Sequence, residues 1–120
     1  MVVILIIIIV SCFLILVVPG AAADGEKIAF ASNRTGNLEI CVMNPNGTQQ
    51  TVITTDPAAD YVPAWSPDGL KIAFTSYRDG NDEIYVMNPD GTQQTRLTNN
   101  QSGDFDPAWS PNGSKIAFDS

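Results

Sequence analysis

Lys27, Lys71 and Lys115 each open the tetrapeptide Lys-Ile-Ala-Phe, and successive copies stand 44 residues apart. The agreement runs well beyond those four residues. Glu39-Ile40 answers Glu83-Ile84, Val42-Met43-Asn44-Pro45 answers Val86-Met87-Asn88-Pro89, and Pro63-Ala64-Trp65-Ser66-Pro67 answers Pro107-Ala108-Trp109-Ser110-Pro111. About 60% of positions agree between the two copies, with no gap. A repeat of this length is one supersecondary unit that cannot bury both of its faces alone, so successive copies must stack.

Four short segments recur in each copy, bounded by turn residues and without helical periodicity. In the second copy they are residues 62–66, 71–76, 83–88 and 95–98. Ser66-Pro67-Asp68-Gly69 and Asn88-Pro89-Asp90-Gly91 have the chemistry of tight turns: proline presets φ, Asp suits the third position, and glycine accepts a left-handed backbone. The expected fold is therefore all-β, built from antiparallel four-stranded sheets. Bulky Ile72 and Phe74 alternate with small Ala73 on neighbouring faces, which suits radial stacking of sheets as blades of a β-propeller. A β-solenoid uses shorter repeats and parallel strands, which these hairpins contradict. The expected layout is an incomplete propeller of about two blades over residues 24–120, with a partial blade at 27–54, a full blade at 62–98 and a partial blade at 106–119.

Ahead of the repeats, Val2 to Val18 is a 17-residue run broken only by Ser11 and Cys12, followed by Pro19-Gly20, then Ala21-Ala22-Ala23 and the first charge, Asp24. Residues 1–23 read as a secretory signal peptide with an Ala-x-Ala cleavage site. An uncleaved membrane anchor is the rival, because about 20 apolar residues suffice to span a bilayer. Either reading puts the repeats outside the cytoplasm: periplasmic, secreted, or anchored and facing outward. All of the formal net charge of −7 belongs to the repeat region, so a phosphate backbone is repelled and no nucleic-acid partner is expected. Contact with a membrane is expected only through the N-terminal segment.

The run Pro-Ala-Trp-Ser-Pro-Asp-Gly, then Lys-Ile-Ala-Phe, Arg-x-Gly-Asn-x-Glu-Ile, Val-Met-Asn-Pro-Asp-Gly-Thr and Leu-Thr resembles the TolB-like propeller repeat, a WD-like family, from Glu26 to Ser120. The resemblance implies a six- to eight-bladed ring. In that family the propeller of TolB is a periplasmic docking platform for proteins including the peptidoglycan-associated lipoprotein, and similar repeats gate prolyl oligopeptidase-like and tricorn-like proteases. TolB carries an α/β domain before its propeller, whereas here the apolar segment runs directly into strands. Six blades need about 260 residues at this period. The chain is thus expected either to be a fragment of a longer protein or to self-associate through open blade edges, three chains giving six blades.

Chemistry narrows the function. There is no histidine, no Gly-x-Ser-x-Gly elbow, no phosphate-cradling loop and no Cys-x-x-Cys pair, so catalysis, a metal and a cofactor are not expected. Asp79, Asn81 and Glu83 alternate as calcium ligands do, but Ile84 stands where an EF-hand loop needs glycine. Cys41 occupies the place of Tyr85 and reads as a buried strand thiol, and Trp65 and Trp109 read as core. The two tight turns of a copy must share one rim and the longer loops the other, where binding usually sits. The candidate partner-binding rim is Arg34, Asp60, Tyr61, Arg78, Asp79, Asp82, Asp104, Phe105 and Asp106. Arg34 and Arg78 could instead brace their own loops. Asn33, Asn46, Asn100 and Asn112 head Asn-x-Ser/Thr sequons in loops and are candidate glycosylation sites. The leading expectation is a non-catalytic exported module that binds a protein or peptide in the cell envelope. The alternatives are the propeller portion of a hydrolase without its catalytic domain, and a structural cell-surface repeat protein.

Overall fold

The structure is a computed structural model that describes residues 25–120; the expected signal or anchor at residues 1–23 lies outside the described residues. Among the described residues nine strands follow one another with no intervening helix: β1 Ile28–Ser32, β2 Glu39–Met43, β3 Thr51–Val52, β4 Asp60–Trp65, β5 Ile72–Ser76, β6 Glu83–Met87, β7 Thr95–Arg96, β8 Phe105–Trp109 and β9 Ile116–Asp119. They form three antiparallel meanders in the orders β1-β2-β3, β4-β5-β6-β7 and β8-β9. The all-β architecture of partial propeller blades is as the repeat implies.

Each tight turn closes as its residues dictate. Gly47 donates to the Asn44 carbonyl at 2.9 Å, and Gly69 to Ser66 at 2.9 Å; the later pairs, Gly91 to Asn88 and Gly113 to Ser110, close at 3.0 and 2.8 Å. Asp and Asn side chains at these corners add local bonds, such as Asp90 accepting from the Thr92 N–H and hydroxyl.

Two strand boundaries differ from the sequence expectation by two residues, and three others by one. The first strand of the complete sheet begins at Asp60 rather than at residue 62, because a bulge between Tyr61 and Ala64 extends the pairing. Val62 carries the strain at φ 50°, and Asp106 repeats it at φ 55°. Pro63 lies within the bulge on an edge strand, a position where a missing N–H is tolerated. The fourth strand stops at Arg96 rather than at 98, because the Thr98 hydroxyl replaces a backbone acceptor and takes the Ile84 N–H at 2.9 Å. Thr54 does the same for Ile40 at 2.8 Å.

Residues paired across a ladder share a face. Ile72 opposite Met87 and Phe74 opposite Tyr85 therefore build one apolar surface, with Trp65 opposite Ile72 extending it. This surface packs on the face of the preceding sheet that carries Ala29, Ile40, Val42 and Ile53, and the joint is the main core. The outer face of the first sheet gathers Ile28, Phe30, Cys41 and Met43 into a second cluster. Cys41 is buried as expected, with its thiol pushed up by desolvation. The far face of the complete sheet receives β8, and Trp109 donates from Nε1 to the Ala64 carbonyl at 3.0 Å. Beside this contact lies a groove of about 450 Å³ lined mainly by Ile84, Val86, Leu97, Trp109, Ile116 and Phe118.

Candidate functional site

The loops joining β5 to β6 and β7 to β8 share the rim opposite the tight turns, although only the second is longer than those turns, and their geometry begins with Asn81. Its amide donates to the Asn100 carbonyl at 3.2 Å and to the Ser102 carbonyl at 2.9 Å, tying one loop to the other. Asn37 makes the same tie one repeat earlier, to Asp56 and Ala58 at 2.9 and 2.8 Å. These loops are held by their own side chains, which makes the rim a pre-organised surface.

Arg78 follows from the loop back over the sheet. Its Nη2 meets Asp60 Oδ2 at 2.9 Å and Oδ1 at 3.2 Å, Nη1 donates to Gln94 Oε1 at 2.7 Å, and Nε donates to Ser76 Oγ at 2.8 Å. The guanidinium lies 4.6 Å from the Tyr85 ring centroid and 5.8 Å from that of Phe74. Its donors point inward and Asp60 is wholly buried, so this pair braces β4, β5 and the β6–β7 turn. Neither residue is offered to a partner at the rim.

A second network starts from Glu83, also wholly buried. It accepts from Arg96 at 2.6 Å, Thr98 at 2.6 Å and Asn81 at 3.0 Å. Burial acts to raise this carboxyl, but those three hydrogen bonds outweigh it and the group sits below the usual range. Arg96 also reaches Asp79 at 3.4 Å, and Asp79 accepts from the Tyr85 hydroxyl. Burial, with that bond, pushes the Tyr85 phenol up to about 12. Asp79, Asn81 and Glu83 are thus engaged with protein donors, and among the described residues no group of three or more metal-type ligands occurs.

Of the nine sequence-predicted rim residues, the structure gathers Tyr61, Asp82 and Asp106. The Tyr61 hydroxyl donates to Asp82, and its phenol is raised by burial, then by that bond and the charges of Asp82 and Asp106. Phe105 is 37% exposed and Asp106 is exposed, so an acidic and aromatic surface remains free. Asp104 is wholly buried and, like Asp60, is no rim contact. Arg34 is exposed, bonded to Ser32 and Gln50 at 2.9 and 2.7 Å, and among the described residues it meets no carboxylate. Sequence reasoning missed Gln94, Arg96 and exposed Tyr77; the recurrence of Gln50 and Gln94 at one period was the available signal for the first. The four sequon asparagines are all exposed.

A comparison with curated proteins found no match. Among solved structures, a protein assigned as TolB from Agrobacterium tumefaciens is 31% identical, with a TM-score of 0.74 over 83% of this chain and 36% of that one. TolB from Acinetobacter baumannii is 31% identical, with a TM-score of 0.70 over 83% of this chain and 25% of that one. The chain therefore spans about a third and a quarter of these two proteins. The family model of the TolB beta propeller domain matches residues 8–120, and on that match, with strands in antiparallel blades, the chain belongs to the TolB beta propeller domain family.

Proposed function

We propose that this chain is a non-catalytic propeller module that works outside the cytoplasm, delivered by residues 1–23 as a signal peptide or anchor, and binds a protein or peptide of the cell envelope on the rim opposite its tight turns. The observation that carries this reading is the division of labour among the rim residues. Arg78, Asp60, Asn81 and Glu83 are spent on holding the loops, while Tyr77, Phe105 and Asp106 are left to a partner. Aromatic anchors beside carboxylates favour a partner that presents basic side chains around an apolar one. Similarity to TolB proteins supports an envelope setting for that partner.

A photo-cross-linking residue placed at Tyr77 or Phe105 of the full chain in cells tests this, with Leu70 as the control on a tight turn. A discrete adduct with an envelope protein from the first two positions, absent from Leu70 and abolished by Asp106→Lys, is the expected result. Equal labelling from all three positions, or none, would overturn the assignment of the rim.

A further inference from the structure

Three polar groups fail to find what their positions one repeat away possess. Asp104 is the counterpart of Asp60 and is equally buried, yet its Oδ1 has no partner; only Oδ2 is engaged, by Asn100 at 2.8 Å. Arg34 is the counterpart of Arg78, yet among the described residues it meets no carboxylate and bonds only to Ser32 and Gln50. Trp65 is buried with Nε1 unbonded, whereas its counterpart Trp109 donates to the carbonyl of Ala64. An unpaired charge and an unpaired donor in the interior are costly, and each marks a seat for a missing neighbour.

The missing neighbours have the chemistry of this chain itself. Strand β8 carries what an innermost strand needs, Asp104 leading into Pro107-Ala108-Trp109, and its partner β9 is Lys-Ile-Ala-Phe, the tetrapeptide that also leads into β1. Strand β9 brings one exposed strand, with Phe118 42% exposed. Strand β1 brings the same side chains with β2 and β3 behind them, and with Cys41 and Met43 on the face shared with Ile28 and Phe30.

We propose that the β1–β3 sheet of a second copy of this chain displaces β9, pairs with β8 to complete a four-stranded blade, covers the Ile84–Val86–Leu97 groove, and brings Arg34 to Asp104 across the contact. The register is that of β4 on β5, where Asp60 faces Ser76, Tyr61 faces Thr75 and Ala64 faces Ala73. One period on, Asp104 faces Ser32 and Phe105 faces Ala31 of the second copy. Arg34 then takes the place beside Asp104 that Arg78 holds beside Asp60. The Ala108 carbonyl of one copy likewise reaches Trp65 Nε1 of the next, as Ala64 reaches Trp109. Apolar burial drives the contact, and the buried ion pair sets its register and direction. The contact is head-to-tail, so it closes into a ring when its rotation allows.

The test uses the full chain with Ala31→Cys and Phe105→Cys together. Within one copy the β4–β7 sheet separates β1 from β8, so a disulfide between these positions joins two copies. Oxidation is expected to give a ladder of covalent multimers on a non-reducing gel, absent from either single variant despite native Cys12 and Cys41. Adding Arg34→Gln or Asp104→Asn is expected to lower the ladder at least tenfold, and adding both to lower it no further. Arg34 is exposed, so its variant keeps the test decisive if Asp104→Asn fails to fold; circular dichroism checks that. A monomer throughout, as when a segment of the same chain fills the β1 edge, overturns the proposal. So does a ladder indifferent to Arg34 and Asp104.

Discussion

The first sheet and the complete sheet share most of their sequence and an identical strand register, but they differ in how their polar side chains are paired. Arg78 has Asp60 to bind and Tyr85 to lie on, whereas Arg34 meets no carboxylate among the described residues and has Cys41 in the place of Tyr85. Glu83 has Arg96, whereas Glu39 has Val52 in that place and accepts from Thr54 at 2.6 Å with no cation beside it among the described residues. The ladders depend on backbone bonds and a two-residue alternation, which tolerate these changes. The buried charges depend on single partners, which do not.

The comparison is most easily broken at the arginines. Arg78→Ala leaves the Asp60 carboxylate buried and unpaired and is expected to cost about 3 kcal/mol in urea unfolding, within the range for breaking a buried pair. Arg34→Ala is expected to cost under about 1 kcal/mol, as for an exposed polar contact. Equal losses would show that Arg78 is no more architectural than Arg34. The double variant Arg78→Ala/Asp60→Asn should recover part of the first loss.

A smaller contrast lies in the glycine turns. Gly47 and Gly91 have φ of 81° and 85°, so any side chain strains both alike, by about 1 kcal/mol. A Cβ on Gly91 would also fall 2.1 Å from the Ile53 carbonyl oxygen of the neighbouring sheet, while one on Gly47 would meet nothing within 4 Å. Gly91→Ala should therefore lose about 2 kcal/mol more than Gly47→Ala in thermal melts. If the two melt together, the sheets do not pack as closely as described.

The smallest effect is in the response to pH. Burial raises Glu39, with the Thr54 bond opposing it, so its contribution is fully present below the unfolded carboxylate range and is lost as pH rises through the folded value. Glu83 is lowered, so its contribution is present above that range and is lost as pH falls through its folded value. Glu39→Gln should therefore gain stability relative to the parent between acid and neutral pH, and Glu83→Gln should lose it. Profiles moving in the same direction would refute the contrast.

Much of the fold was legible because the features that specify it are local. The period of 44, the Pro-Asp-Gly and Pro-Asn-Gly corners and the alternation in Lys-Ile-Ala-Phe act within a few residues and place strands and turns without reference to neighbours. The site was legible only in part. Asp60, Asp104 and Arg78 look like rim residues in a string of loop-type letters, yet two are buried and the third is folded onto its own sheet. Nothing in local sequence states that Arg78 will meet Asp60, 18 residues away, or that Val62 will adopt a left-handed backbone to let the bulge form.

By itself, then, the sequence determined the repeat, its strands and its corners, since propensity and periodicity are properties of short segments. Tertiary structure alone decided which charges are consumed in bracing, which remain on the rim, and which are left buried without a partner. Those outcomes depend on the stacking of one sheet on another, where a carboxylate loses its water and its neighbour determines whether it stays paired.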